Sequence, residues 1–362
     1  MRAAVTREGA SSLAVEELAL MAPGPGRVRV RVAASGVCRS DLSVLDGTIP
    51  QALPAVLGHE GAGVVVEVGD GVTTLAPGDH VILPWVAPCR RCPQCLRGAA
   101  ELCDHGMDHA FGDPYAFDGR GEGVFAAFGT ATFGEETIVP EAAAVRIDPS
   151  FPLDLAALIG CGVVTGVGAV LRSARVAPGE TVAVIGCGGV GLAAIQGARL
   201  AGAARVVAVD RVAAKLDLAL GCGATDGVDA AAQEPVAAVR ELTGGTGVDH
   251  ALEVVGRSDT ILAAYGMARR GGVVTVVGAG GFNDIVGIPA MSLMADAKTI
   301  RGCVYGATDP ARDFPLMVDL ARRGAIDLER LITRRIGLED LGAAFDAMDA
   351  GEVARSVVVF DR

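Results

Sequence analysis

Seven residues of this chain have the types and spacing to hold metal ions. Cys89, Cys92, Cys95 and Cys103 form a C-x2-C-x2-C-x7-C run. Intervals that short let one loop wrap a tetrahedral ion, and four thiolates fill every coordination position. A site of that kind has no seat for a substrate, so it predicts a structural zinc. Cys38, His59 and Cys161 lie far apart in the chain. They could supply three ligands and leave a fourth position for water or substrate, as a catalytic zinc requires. Spacing alone leaves this second site open, because one His and two distant Cys are also ordinary buried residues.

Gly186-Cys187-Gly188-Gly189-Val190-Gly191 matches G-x-G-x-x-G. The run Thr181 to Ile185 before it reads as a strand, and Val190 to Ala201 after it as a helix. Val206 to Val209 is the next strand pattern, and it ends at Asp210, nineteen residues after Gly191. In that context the glycines permit a tight turn and a close backbone approach to a pyrophosphate, which the free N–H groups of the helix start would bind. Asp210 can accept from both ribose hydroxyls of NAD and would repel a 2'-phosphate. Arg211 is the one neighbour that favours NADP. The expected coenzyme is NAD.

These residues need a scaffold. Val28, Val30 and Val32 alternate with arginines, the pattern of a half-buried strand. Val64 to Val66 and Val81 to Leu83 follow, separated by turns such as Pro77-Gly78-Asp79. Residues 1 to about 162 therefore read as a β domain whose loops carry the metal ligands. From about 163 to 304, strand and helix patterns alternate, with Ala251 to Val255 and Val273 to Val277 as later strands. Such alternation implies α/β architecture with a doubly wound parallel sheet. The tail, about 305 to 362, has helix patterns at Phe314 to Arg323 and Leu338 to Met348 and a last strand at Ser356 to Phe360, and is expected to return to the first domain. Two uncharged runs, Leu155 to Leu171 and Thr181 to Ala198, are glycine-rich and read as buried core rather than membrane spans.

Composition narrows the function further. The chain has 362 residues, 51% of them hydrophobic, which is enough for two cores and excludes disorder. A net charge of -12 argues against nucleic acid and anionic membranes as partners. The N-terminus lacks the apolar stretch of a signal peptide. Nine cysteines, mostly in metal spacing, suit a reducing cytoplasm.

Taken together, the stretches Gly36 to Asp41, Gly58 to Gly63, Cys89 to Cys103, Gly160-Cys161-Gly162, Gly186 to Gly191 with Asp210, and Arg355 resemble the zinc-dependent alcohol dehydrogenases of the medium-chain superfamily. They run in that family's order over nearly the whole chain. The resemblance implies a GroES-like catalytic domain (1–162 with 305–362) and a Rossmann NAD-binding domain (163–304). It implies two zinc ions, with Cys38, His59 and Cys161 on the catalytic one. Glu60 would be a nearby carboxylate able to approach the metal, Asp41 would orient His59, and Ser40 would take the alcohol proton. Arg39 and Arg355 would bind the coenzyme pyrophosphate, Thr165 and Val190 would press on the nicotinamide, and Lys215 would hold the adenosine ribose. Ile49, Trp85, Leu102, Ala127, Phe128 and Tyr305 would line the substrate pocket.

Those lining residues are apolar or aromatic, which favours a medium-sized or aromatic primary alcohol or its aldehyde. Thiol-dependent formaldehyde dehydrogenases of the same family grip a carrier with charged residues. The matching positions here are Ile49 and Met107, so an S-hydroxymethyl adduct is the second expectation. A non-catalytic, zinc-stabilised NAD-binding protein is the reading from outside enzymology. It conflicts with the presence of Cys38, His59, Glu60 and Cys161 together. One position departs from the family: its proton-relay His, five residues after Cys38, is replaced by Ser43. The stretch Gly287 to Val304 corresponds to the family's subunit-contact edge, and the long loop Asp104 to Phe128 is that of dimeric members. A homodimer is expected, with a tetramer as the alternative.

Overall fold

The computed structural model describes residues 1–10 and 12–360. They form two compact units, one of the described residues within 1–162, 309–322 and 332–360, the other of residues 163–308 and 323–331.

The first unit is built on two sheets. Its larger sheet runs, in spatial order, Val145–Arg146, His80–Leu83, Glu60–Val68, Arg27–Gly36, Ser356–Val359 and Arg334–Ile336, with Glu136–Pro140 also paired to Arg27–Gly36. The alternation read from the sequence sets the faces. Val28, Val30 and Val32 are at most 1% exposed, and Val28 and Val30 pack with Val65, Val81, Leu83 and Val139, while Arg29 turns outward to Glu67 and Glu136. The second sheet joins Arg2–Thr6, Ala55–Val56 and Gly123–Ala126 with shorter strands. Its core holds Val56, Leu57, Phe133, Phe128 and Phe345.

The second unit is a six-stranded sheet, parallel throughout. Thr181–Ile185 lies at its centre, flanked by Arg205–Asp210 then Asp226–Asp229 on one side, and by Val248–Glu253, Ala268–Val276 and Thr299–Gly302 on the other. The chain order across the sheet is third, second, first, fourth, fifth, sixth. That order reverses direction beside Thr181–Ile185, and ligands bind at the carboxyl ends of strands at such a point.

Most expected elements lie within a few residues of their sequence positions. The helix in the tail starts earlier, at Pro310 rather than Phe314, because proline fits the first turn of a helix. Leu338–Asp340 is a tight 3-10 turn that precedes the α-helix Leu341–Asp349. Residues 323–331 pack with the second unit. Gln196, in the helix Gly189–Leu200, accepts from the Asp327 N–H at 2.6 Å and donates to its carbonyl at 3.0 Å. One buried amide thus matches both backbone groups of a residue 131 positions away.

The helical run Leu153–Ala174 is long and apolar enough to cross a membrane by length and composition, and 78% of its most apolar window is buried in the fold. It is not a uniform α-helix: Ile159–Val163 and Ala169–Ala174 are π turns. A π turn inserts one residue into the helical repeat and re-aims the side chains within it. Cys161 sits in the first of them.

Candidate active site

Asp41 organises the first cluster of chemistry-bearing residues. The helix Arg39–Leu45 begins one residue after Cys38, and Asp41 in its first turn is fully buried. Its Oδ1 accepts the Gly58 N–H at 2.9 Å and lies 3.0 Å from His59 Nδ1; its Oδ2 accepts the Cys38 N–H at 3.3 Å. One carboxylate therefore ties together two segments that carry ligands. The pairing at Nδ1 leaves His59 Nε2 for a metal. Gly58 turns the chain into His59 with φ +90°, and a Cβ there would meet the Phe133 N atom at 2.6 Å.

Cys38, His59, Glu60 and Cys161 bring one ligand atom each to within 4.8 Å of the others. Cys161 arrives from the π turn, and Ser40 Oγ lies 3.9 Å from Cys38 Sγ. The groups of this cluster shift one another strongly. The Cys38 thiol is held well below its usual range because it accepts from Cys161 and faces His59 and Arg355, despite its burial; Cys161 keeps the proton of the pair. Burial opposes protonation of His59, but Asp41 and the Cys38 thiolate outweigh it and raise the imidazole well above its ordinary range. Burial pushes the Glu60 carboxyl up to about 8. Arg355 Nη1 is 3.0 Å from Glu60 Oε1, yet neither Glu60 oxygen has an aligned hydrogen bond. Two cysteines, an imidazole and a carboxyl group without an aligned hydrogen bond, gathered within 4.8 Å, suit zinc.

The second cluster is the loop from Cys89 to Cys103, whose four sulfurs also lie within 4.8 Å of one another. Backbone N–H groups point at them: Cys89 N donates to Cys103 Sγ at 3.2 Å and Cys92 N to Cys89 Sγ at 3.3 Å. The bond from Cys95 N helps to lower the Cys92 thiol to about 6. Arg90 fastens the loop to Asp309 by two bonds of 2.6 and 2.7 Å. The arrangement is closed, as the spacing implies.

The coenzyme unit carries its own site. Gly186 has φ +95°, and a Cβ on Gly191 would lie 1.8 Å from the Gly186 carbonyl oxygen, so these two glycines serve the tight turn and its packing on the helix. Gly188 faces open space, where a phosphate can approach the backbone. Asp210 accepts from Cys187 N at 2.7 Å and Val212 N at 3.0 Å, which fixes its carboxylate at the strand end with lone pairs left over. Lys215 lies in the helix Ala213–Gly221 that follows. Gly166 lets the helix Val164–Gly168 pack tightly on the neighbouring helix, where its Cβ would be 2.3 Å from the Val190 carbonyl. Thr165 precedes Gly166 on that helix.

Residues 24–149 match the alcohol dehydrogenase GroES-like domain family, and residues 189–323 match the zinc-binding dehydrogenase family. The S-(hydroxymethyl)glutathione dehydrogenase of Synechocystis is 38% identical, over 99% of each chain. This chain belongs to the zinc-type medium-chain dehydrogenases. Among solved structures, an alcohol dehydrogenase zinc-binding domain protein from Burkholderia ambifaria is similar, with a TM-score of 0.94 and 36% identity over 100% of this chain and 99% of that one. Benzyl alcohol dehydrogenase from Acinetobacter calcoaceticus follows with a TM-score of 0.92 and 31% identity over 99% of each. The dehydrogenase is thus a zinc-type oxidoreductase using zinc and NAD(P), with GroES-like and Rossmann-type domains.

The expected pocket residues of this dehydrogenase fall into three groups. Ile49, Trp85, Ala127 and Phe128 share one apolar cluster with Met107. The Phe128 ring lies over His59, with centroids 4.4 Å apart and planes at 44°. Leu102 is 47% exposed and stands outside that cluster. Tyr305 is buried in the coenzyme unit, in a left-handed conformation. Two arginines have partners that the sequence did not signal. Arg39 pairs with Asp349 at 2.5 Å, and Arg355, 6% exposed, sits against Glu60 and donates to the Val37 carbonyl at 3.1 Å. Glu60 and Arg355 are 295 positions apart (355 − 60), and nothing local couples them. The one hint is Gly162, where a Cβ would lie 1.8 Å from Arg355 Nη2.

Proposed function

We propose that this dehydrogenase oxidises medium-sized or aromatic primary alcohols, and reduces their aldehydes, with NAD. The observation that carries the reading is the ligand set Cys38, His59 and Cys161 beside an apolar wall that includes Phe128. When bound there, zinc acidifies an alcohol hydroxyl and NAD accepts the hydride. The chain's own groups do the rest. Asp41 fixes the His59 tautomer, and Ser40 takes the hydroxyl proton. Glu60, balanced by Arg355, keeps a carboxylate within reach of the ligand cluster. Phe128, Trp85 and Ile49 exclude water from the reacting end of the substrate. Asp210 selects NAD over NADP through the ribose hydroxyls, with Lys215 on the following helix, while the Gly186 to Gly191 turn receives the pyrophosphate. Cys89, Cys92, Cys95 and Cys103 hold a second, structural zinc. Ser43, where family members carry a relay His, makes proton release dependent on water or buffer.

The second reading is oxidation of a formaldehyde–thiol adduct, favoured by the name of the Synechocystis relative. Against it, Ile49 and Met107 are apolar and packed against the pocket cluster, so neither supplies a charge for a thiol carrier. An NADH-absorbance screen separates the two. We expect turnover of benzyl alcohol without added thiol; turnover of formaldehyde only with a low-molecular-weight thiol, and none of benzyl alcohol, would replace the first reading with the second.

The assembly is a homodimer in this reading, with a tetramer the alternative. Thr299–Gly302 is the last strand of its sheet, and its outer edge is unpaired among the described residues. The segment before it exposes Phe282 (87%), Ile285 (86%), Met291 and Met294. An apolar, unpaired edge suits a second copy across a two-fold axis.

A further inference from the structure

His109 lies in the short turn Asp108–Phe111 and has no part in the roles above. Its ring packs against Gly129: a Cβ built there would lie 2.1 Å from His109 Cδ2 and 2.5 Å from Nε2. Position 129 has no room for a side chain, and its φ of +69° also suits glycine. Gly129 closes the turn Ala127–Gly129, in which Phe128 has φ 53° and ψ 13°. Two successive left-handed residues, one a bulky aromatic, persist only where their surroundings hold them. The Phe128 ring in turn covers the His59 ring at 4.4 Å. The contacts thus run unbroken from His109 through Gly129 and Phe128 to His59.

The polar edge of His109 does not explain its place. Nε2 is buried without a hydrogen-bond partner. Burial, and then Arg27, push its pKa down to about 4, so it is a neutral ring at working pH and cannot grip an anionic substrate. Its shape is what remains.

We propose that His109 is a positioning residue for substrate selection: its ring braces the Gly129 turn, holds Phe128 across His59, and so sets the width of the alcohol site. The inference rests on the reading that Phe128 walls that site. Two readouts test it, each in a double-mutant cycle of His109→Ala with Phe128→Ala. The first is the ratio of kcat/KM for benzyl alcohol to that for ethanol. The second needs no activity: Trp85, the one tryptophan of the chain, packs against the same apolar cluster as Phe128, so acrylamide quenching of its fluorescence reports loosening there.

His109→Ala should shift the kcat/KM ratio about tenfold, mainly through KM, as a change of about one methylene in an apolar pocket does. Trp85 quenching should rise with it. In the Phe128→Ala background, His109→Ala should add little to either, because one residue acts through the other. His109→Phe keeps a flat ring without nitrogens and should restore both readouts. Equal effects in the two backgrounds, no effect in the wild-type background, or failure of His109→Phe to rescue would each overturn the proposal. If His109→Ala does not fold, His109→Leu goes through the same cycle with the same expectations. A wild type inactive on both alcohols defeats the alcohol reading alone, and the quenching cycle then decides His109.

Discussion

Asp41 divides its two oxygens among Cys38, Gly58 and His59, so one carboxylate fixes a sulfur-bearing backbone, a turn and an imidazole. Asparagine keeps the shape but puts an N–H₂ opposite one of these donors. Asp41→Asn should weaken the catalytic metal about 10- to 100-fold, the usual cost of losing such a supporting carboxylate. After dialysis against a chelator, zinc per chain should fall toward one, with the four-cysteine site still loaded; retention of two would remove Asp41 from this role. At the coenzyme site, Asp210→Gly should weaken NAD about tenfold or more, given about 1.5–3 kcal/mol for a hydrogen bond to a charged group, and narrow the preference over NADP. Steady-state kinetics with both coenzymes decides it, with a thermal melt alongside because Asp210 also caps Cys187 and Val212. The residues of these two predictions were readable from the chain because their signals are local: Asp210 ends a strand after a glycine loop, and Asp41 stands three residues after Cys38. The partnership of Arg355 with Glu60 was not readable, since it exists only when the last strand returns beside Arg27–Gly36. Phe128 read as a pocket wall, but its left-handed backbone and its brace, His109, have no local signature.

Among elements, the helical run Leu153–Ala174 shows how a short irregularity serves chemistry. Its first π turn presents Cys161, and Gly162 in the same turn makes room for the buried Arg355 guanidinium. Arginine tips usually yield to a new methyl group, but this one is committed to Glu60. Gly162→Ala should therefore displace the guanidinium from Glu60 and from the Val37 carbonyl and cost about 1–3 kcal/mol, as for buried polar groups left unmatched. Thermal melting should show a fall of several degrees; an unchanged Tm would mean that the guanidinium moves aside freely. Hydrophobic periodicity made this run legible as a buried helix, while the π turns escaped notice because composition does not encode a one-residue change of repeat. The strands were the easiest elements to read, for Val28, Val30 and Val32 face the core in strict alternation. The tail helix begins at Pro310, four residues before the apolar pattern that starts at Phe314, because its first turn carries little of that pattern.

For the whole molecule, the assembly prediction turns on the exposed apolar edge of the parallel sheet. Ile300 is 36% exposed on the last strand. Ile300→Lys should place a charge on the pairing surface and yield a monomer of 36.6 kDa. Light scattering coupled to size exclusion reads the mass; a dimer that survives this change and Phe282→Lys would move the interface elsewhere. The Gln196–Asp327 clasp has a consequence for taking the protein apart. A coenzyme-binding fragment cut after Thr308 would lose the Asp327 N–H and carbonyl that match the Gln196 amide, keeping only its long contact to Cys222 Sγ at 3.8 Å, and would open the apolar surroundings of that amide to water. The natural excision is thus discontinuous: residues 163–308 need 323–331 spliced back before that half of the enzyme is fit to be prepared as a separate protein.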